Sequence, residues 1–327
     1  MRFTRLSMLS VGVVATLALA ACGGSSDSGS SSSAAATSES AAASSEAAPA
    51  GGPITVAAFN FGESKILAQM YAAVLEKAGY EPEVKELTNR EVVQPALQGG
   101  EVQVVPEYAA TLTDFLNAAA NGPDAPSQAS GDLDTTMTAL RALAEPVGVT
   151  VLDASPAADQ NAFAVTAEFA DANGLTTLSD LATWSQSNDL VLGGPPECVE
   201  RPFCQPGLEE TYGMVFSDFK SLDAGGPLTK QALSQGQIGV GLVFSSDGGV
   251  AALDLAVLED DKQLQKTDNI VPAVNSAVVT QELTDALNAV SAALTTDDLI
   301  ELNKAVDIDR KDPKDVAVEW LTAQGLL

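Results

Sequence analysis

Residues 97–111, LQGGEVQVVPEYAAT, decide how this chain folds. Leu97 closes a helix, Gly99-Gly100 stops it, and Val102 to Val105 reads as a short apolar strand. Pro106-Glu107-Tyr108 then sets a carboxylate and an aromatic ring just past the strand's carboxyl end. In open α/β sheets that is where ligands sit. The pattern returns in residues 233–247, LSQGQIGVGLVFSSD. Laid over each other, Leu97 falls on Leu233, Gly100 on Gly236, Val102 on Ile238 and Val104 on Val240. Tyr108 then falls on Phe244 and Thr111 on Asp247. Two such units, each ending in an aromatic and a polar group, predict two lobes facing one cleft.

Working outward, the flanking segments alternate between strand and helix patterns. Ile54 to Phe59 reads as a strand, and Asn60 to Ser64 turns into a helix with Leu67, Met70, Tyr71, Val74 and Ala78 at helical spacing. Glu83 to Leu87 is the next strand and Arg90 to Leu97 the next helix. Such βαβ order predicts a mostly parallel sheet with helices on its faces, an α/β fold. Asp159 to Val165 reads as a crossing into a second lobe, and Asn269 to Val274 as the return. The lobes are therefore expected at residues 53–158 plus 273–327, and at 159–272. The last three helices, Glu282 to Leu294, Thr296 to Val306 and Pro313 to Gln324, are assigned to the first lobe.

The amino terminus carries its own reading. Arg2 and Arg5 precede an apolar run, Leu9 to Leu19, of signal-peptide length. It closes in Leu19-Ala20-Ala21-Cys22, which looks like a bacterial lipobox. Residues 1–22 are thus expected to be a lipoprotein signal, with Cys22 diacylated (palmitate-type chains) and the protein anchored on the extracytoplasmic face of the cell membrane. Residues 23–52, almost all Ser, Ala and Gly, read as a disordered tether.

Composition excludes several functions. Among 327 residues, 16 Lys and Arg stand against 44 Asp and Glu, a net charge of −28 that repels nucleic acid. There is no His, which removes His-based triads and His metal sites. No catalytic residue, cofactor or metal is expected, and the chain is not read as an enzyme. Cys198 and Cys204 form an even pair behind a secretion signal and read as a disulfide. Metal binding by this pair is the alternative, but the chain has no His and no second Cys pair to complete such a site.

The candidate ligand-binding residues are Asn60, Phe61, Glu63, Glu107, Tyr108, Thr111, Asn161, Arg201, Phe244, Ser245 and Asp247. Phe61, Tyr108 and Phe244 offer ring faces to a cation, or pack as core. Glu63, Glu107 and Asp247 complement a cation, or are solvated or capping acids. Asn60 and the helix start behind it suit an anionic group, or simply cap. Arg201, in the stapled loop, takes a ligand carboxylate in a fork or makes a structural salt bridge.

Taken together, Asn60-Phe61-x-Glu63, Arg90-Glu91-Val92-Val93 with Pro95-Ala96-Leu97, Pro106-Glu107-Tyr108, residues 193–208 (GGPPECVERPFCQPGL), Gly225 to Thr229, residues 242–248 (LVFSSDG) and residues 258–262 (LEDDK) carry a resemblance. Over residues 54 to 326 the chain resembles the substrate-binding proteins of ABC importers for glycine betaine, carnitine, choline and other osmoprotectants. The resemblance implies a two-lobed Venus-flytrap fold of the type II periplasmic-binding-protein kind, with two crossover segments. It implies a monomer that closes on a small quaternary amine or zwitterion and delivers it to a permease with ATPase subunits. In that family the ammonium sits in a cage of tyrosines, which Tyr108 matches and where this chain has Phe244 in place of a common tyrosine. A relative takes the larger betaine ergothioneine, which Arg201 would suit. Outside this class stands a surface adhesin or structural lipoprotein, which would bind no small solute.

Overall fold

The structure, a computed structural model, describes residues 51–327. The expected signal segment, Cys22 and the tether up to residue 50 lie outside the described residues.

The chain alternates as its periodicity predicts. Strand β1 (Pro53–Ala58) leads into helix α1 (Gly62–Lys77), then β2 (Glu81–Glu86), α2 (Arg90–Gln98), β3 (Val104–Tyr108) and α3 (Ala109–Asn121). Helix α4 (Leu133–Ala144) follows, then β4 (Val149–Val151). Next come β5 (Asn161–Thr166), α5 (Ala167–Asn173), α6 (Leu178–Ser185), β6 (Val191–Gly194), α7 (Gln205–Tyr212), β7 (Asp218–Ser221), α8 (Pro227–Ser234), β8 (Val240–Phe244) and β9 (Leu255–Leu258). The chain closes with β10 (Ile270–Asn275), α9 (Gln281–Ala293), α10 (Thr296–Asp307) and α11 (Pro313–Ala323). Helix α5 was not expected; Thr166 starts it by accepting from the Phe169 amide.

Among the described residues, ten strands make two five-stranded sheets, ordered β2-β1-β3-β10-β4 and β7-β6-β8-β5-β9. Their topologies are the same. In each, the first strand pairs in parallel with the second and third. A strand arriving from the other half then pairs antiparallel with the third, β10 on β3 and β5 on β8. This mixed α/β architecture, with two chain crossings, matches the expected fold class. Its two third strands, β3 and β8, are the two copies of the repeat. Gly100 and Gly236, the matching glycines, both turn the chain with positive φ, 77° and 64°. Leu97, Leu233, Val102 and Ile238 are all buried, so the overlay reflects equal roles in the two cores.

Two sequence expectations need correction here. Pro106-Glu107-Tyr108 is not beyond the strand but inside it, fully ordered as β3. Pro106 is tolerated because it stands opposite Pro272 of β10, where neither residue has an amide to offer. The boundary expected between 272 and 273 also moves. Residues 270–275 are one strand of the first sheet, and the crossings touch just before it, through the Ala158–Asn269 bridge. β10 (IVPAVN) is apolar along almost its whole length and buried on both faces, so it carries no alternation by which the sequence could tell a strand from a linker.

Helix α1 lies against α9, α10 and α11, which places the carboxyl-terminal helices with the first sheet. One continuous core joins these helices to β1, β3, β4 and β10. The second sheet has its own cores, one holding the disulfide sulfurs of Cys198 and Cys204.

Candidate functional site

The segments that follow β1, β3, β6 and β8 converge on a cavity of about 360 Å³. Its walls include Asn60, Phe61, Tyr108, Thr111, Asn161, Arg201 and Phe244, seven of the expected ligand-binding residues. Phe61 is the meeting point. Its ring centroid lies 6.2 Å from that of Tyr108 and 5.4 Å from that of Phe244, so rings from both sheets meet across the cavity. Phe115 and Phe203 add further apolar wall.

The remaining expected residues do not line the cavity, and each is bonded within the protein. Glu107 is fully buried and takes a fork from Arg90, whose Nη2 lies 2.7 Å from Oε2, together with an amide from Gln94 at 2.9 Å. This is a charge-neutral clamp that fixes strand β3 on helix α2. A cation cannot compete for that carboxylate without breaking the clamp, so Glu107 is corrected from ligand contact to support. Asp247 is likewise taken by Lys230 at 2.6 Å. Ser245 donates to Asp159 and accepts from the Gln160 amide. Glu63 accepts from the Tyr108 hydroxyl at 2.8 Å, from Ser246 Oγ at 2.6 Å and from Asn303 Nδ2 at 2.7 Å. Glu63 therefore ties α1, β3, the turn after β8 and α10 into one buried network.

Of the two roles open to Arg201, the structure shows the salt bridge. Its guanidinium pairs with Glu91 at 3.0 Å and Glu197 at 3.4 Å, so its fork is occupied by protein carboxylates. The Glu91 pair reaches from the disulfide loop to α2 of the other half, and Arg201 is a third exposed there. Burial opposes ionisation of Glu91, but the neighbouring guanidinium outweighs it and holds the carboxyl below its usual range.

Sequence reasoning missed the acids of the crossings. Asp159 and Asp268 both line the cavity and both are buried. Asp268 accepts from the amides of Ala110 and Thr111 at 2.7 and 3.2 Å, capping helix α3. Burial nevertheless pushes its carboxyl up to about 7, against the pull of Arg90 and the α3 amides. Asp159 is raised well above the carboxylate range by burial and by the charge of Glu63. Burial raises Glu63 as well, for it has no cation among its hydrogen-bond partners. Asp114 was missed too, although it lies one helical turn beyond Thr111 and hence on the same face. The one available signal was that spacing.

The site so built has rings on two sides, acids around them and no free arginine. Chemically it suits a soft, poorly hydrated cation held by ring faces. It holds no nucleophile–base pair, and no metal-ligating cluster occurs among the described residues.

Comparison with known proteins gives a consistent answer. A family model described as the substrate binding domain of ABC-type glycine betaine transport systems matches residues 52–323. The chain is 29% identical over 289 residues to the glycine betaine-binding protein YehZ of Escherichia coli, covering 84% of this chain and 92% of that one. It is 27% identical over 285 residues to a glycine-betaine-binding protein of Pseudomonas aeruginosa, covering 84% and 88%. Among solved structures, one described as a glycine betaine/carnitine/choline ABC transporter superposes with a TM-score of 0.63 at 26% identity, covering 84% of this chain and 99% of that one.

Proposed function

Because this chain belongs to the family of substrate-binding domains of ABC-type glycine betaine transport systems, we propose that it captures a small quaternary ammonium solute in the cavity between its two sheets. It then delivers the solute to an ABC permease on the extracytoplasmic face of the membrane. The family is one of transport binding proteins, not of enzymes.

The observation that carries this reading is the ring cluster. Phe61, Tyr108 and Phe244 come from both sheets, line one cavity and are bordered by Asp159 and Asp268. A trimethylammonium group is large and poorly hydrated, so it gains from ring faces in a dry site without losing a strong water shell. Residues 53–158 with 270–327 act as one lobe and 159–269 as the other. The protein works as a monomer, tethered by residues 23–52 from a lipid on Cys22, a reading that rests on the Leu19-Ala20-Ala21-Cys22 sequence alone.

Isothermal titration against glycine betaine, choline and carnitine tests the ligand class. Binding of at least one is expected, with a matching gain in thermal stability of about 2.7 kcal/mol at a hundredfold excess over Kd. A folded protein that gives no heat with any of the three would rule the class out.

A further inference from the structure

The repeat breaks where its second copy leaves the strand. After Tyr108 the first copy runs straight into helix α3, whereas after Phe244 the second makes a turn, Ser245-Ser246-Asp247-Gly248-Gly249. Leu112, which overlays on Gly248, is buried in the core of the first sheet. Gly248 instead lies against the other half of the molecule. A Cβ there would stand 2.6 Å from the Ile300 carbonyl oxygen and 2.8 Å from the Lys304 Cβ, both on α10. The first of these is backbone within a helix and cannot swing aside. Gly248 does not take up a positive φ, so its own turn does not call for glycine; the approach of α10 does.

Hydrogen bonds close the same contact. Asn303 Nδ2, on α10, donates to the Ser246 carbonyl at 3.2 Å and to its hydroxyl at 3.0 Å, and that hydroxyl donates to Glu63 at 2.6 Å. Both side chains are buried. The Lys230–Asp247 pair and the Gly249 amide on Asp247 stiffen the turn from its own side. Ser246, Gly248 and Asn303 do not line the cavity. The Arg201–Glu91 pair also joins the two halves, but it is partly exposed and loses little on separation. Parting the halves at Ser246 would instead strip buried groups of their partners.

We propose that Gly248 is the pivot at which the second lobe bears on α10, and that it positions Phe244, four residues earlier, for the ligand without touching it. This rests on the two-lobe binding reading and deepens it. Opening then parts the lobes at Arg201–Glu91 and leaves the pivot shut. A side chain at 248 strains nothing in its own lobe and pushes the lobes apart.

Gly248→Ala and Asn303→Ala in the full chain test this, with Gly131→Ala as the control. Gly131 has no positive φ either, and nothing stands within 4 Å of a Cβ there. Titration with glycine betaine, choline and carnitine is the first readout. Gly248→Ala is expected to weaken whichever of them binds the wild type by ~10-fold, the worth of about one buried hydrogen bond. Gly131→Ala should leave that affinity unchanged. Small-angle X-ray scattering of the ligand-free chains is the second readout, one that looser packing inside a single lobe would not move. The radius of gyration should rise in Gly248→Ala and in Asn303→Ala, and stay at the wild-type value in Gly131→Ala. A folded Gly248→Ala protein with the wild-type radius overturns the pivot, whatever its affinity. If Gly248→Ala does not fold, Asn303→Ala decides by the same criterion. A wild type that binds none of the three solutes removes the ligand reading, and the scattering still decides the pivot.

Discussion

Strands β3 and β8 hold the same place in their sheets, and in both copies the preceding helix sends side chains to the strand's end. In the first copy Arg90 and Gln94 of α2 grip Glu107 inside β3, one residue before Tyr108. In the second, Lys230 of α8 grips Asp247, three residues after Phe244. Lys230 falls on Gln94 in the overlay and Asp247 on Thr111, so the two lobes use the same positions with different chemistry. The outcome differs for the rings. Tyr108 is held from behind by a buried ion pair and by its hydroxyl on Glu63, whereas Phe244 has only packing. One wall of the cavity is fixed by charge and hydrogen bonds; the other is shaped by contact and by the disulfide loop. The comparison also separates two buried acids on the first wall. Glu107 is neutralised by Arg90, while Glu63 meets only uncharged donors and the carboxyl of Asp159.

The largest effect should come from breaking the stronger clamp. Arg90→Ala leaves Glu107 charged and fully buried, a change that costs about 3–5 kcal/mol. Lys230→Ala should cost less, because Lys230 makes one contact with Asp247, which keeps the Gly249 amide, whereas Arg90 bonds Glu107 through both Nε and Nη2 and also holds Thr111. Urea unfolding of both variants checks the order, and equal losses would mean that the two clamps are equivalent.

A matched pair of substitutions sharpens the difference between the acids. Glu107→Gln removes a charge that Arg90 needs and should destabilise by ~2–3 kcal/mol. Glu63→Gln removes a charge that nothing compensates, so stability should hold or rise. Calorimetric melting at pH 8 distinguishes them, and a larger loss at Glu63 would contradict the assignment of charges.

The pH dependence follows from the same acids. The Asp268 carboxyl ionises at about 7 in the folded protein against an ordinary 3.8. Between these values the folded state holds a proton that the unfolded state has released, so this group's contribution to stability falls as pH rises through that window. Asp159 and Glu63, also raised, act in the same direction. The ligand-free protein should therefore melt at a lower temperature at pH 8 than at pH 5. Cation affinity should move the opposite way, tightening as the acids ionise. Asp268→Asn, which can still accept from Ala110 and Thr111, should flatten both profiles.

The smallest effects belong to single contacts. Tyr108→Phe deletes the hydroxyl on Glu63 and should cost ~1 kcal/mol of stability while leaving the ring face in the cavity. Reducing Cys198–Cys204 should cost about 2 kcal/mol, given the short loop it closes. Losing the Arg201–Glu91 pair should cost no more than ~1 kcal/mol, since both side chains are partly exposed.

Much of this was legible beforehand. The repeat located the two third strands and with them the rings of Tyr108 and Phe244, while Phe61 was read from the turn after the first strand. What stayed hidden were partners distant in the chain. Glu107 reads as a free acid until the fold brings Arg90 across from the adjacent helix, and Arg201 reads as free until Glu91, 110 residues earlier, meets it. Asp159 and Asp268 sit in crossings with no periodicity to show which way they face. Ser245 and Asp247 were misplaced because the chain turns at the end of β8, where the Asp247 amide reaches back to the Phe244 carbonyl. Alternation along the strand no longer applies there.

The central claim is that rings from both third strands hold one cation, and titration of choline into wild type and Phe244→Leu tests it most directly. The Phe244 ring is held by packing, so its replacement leaves the buried networks intact. The account predicts binding to the wild type and about tenfold weaker binding to the variant. Equal affinity in a folded Phe244→Leu protein would contradict it.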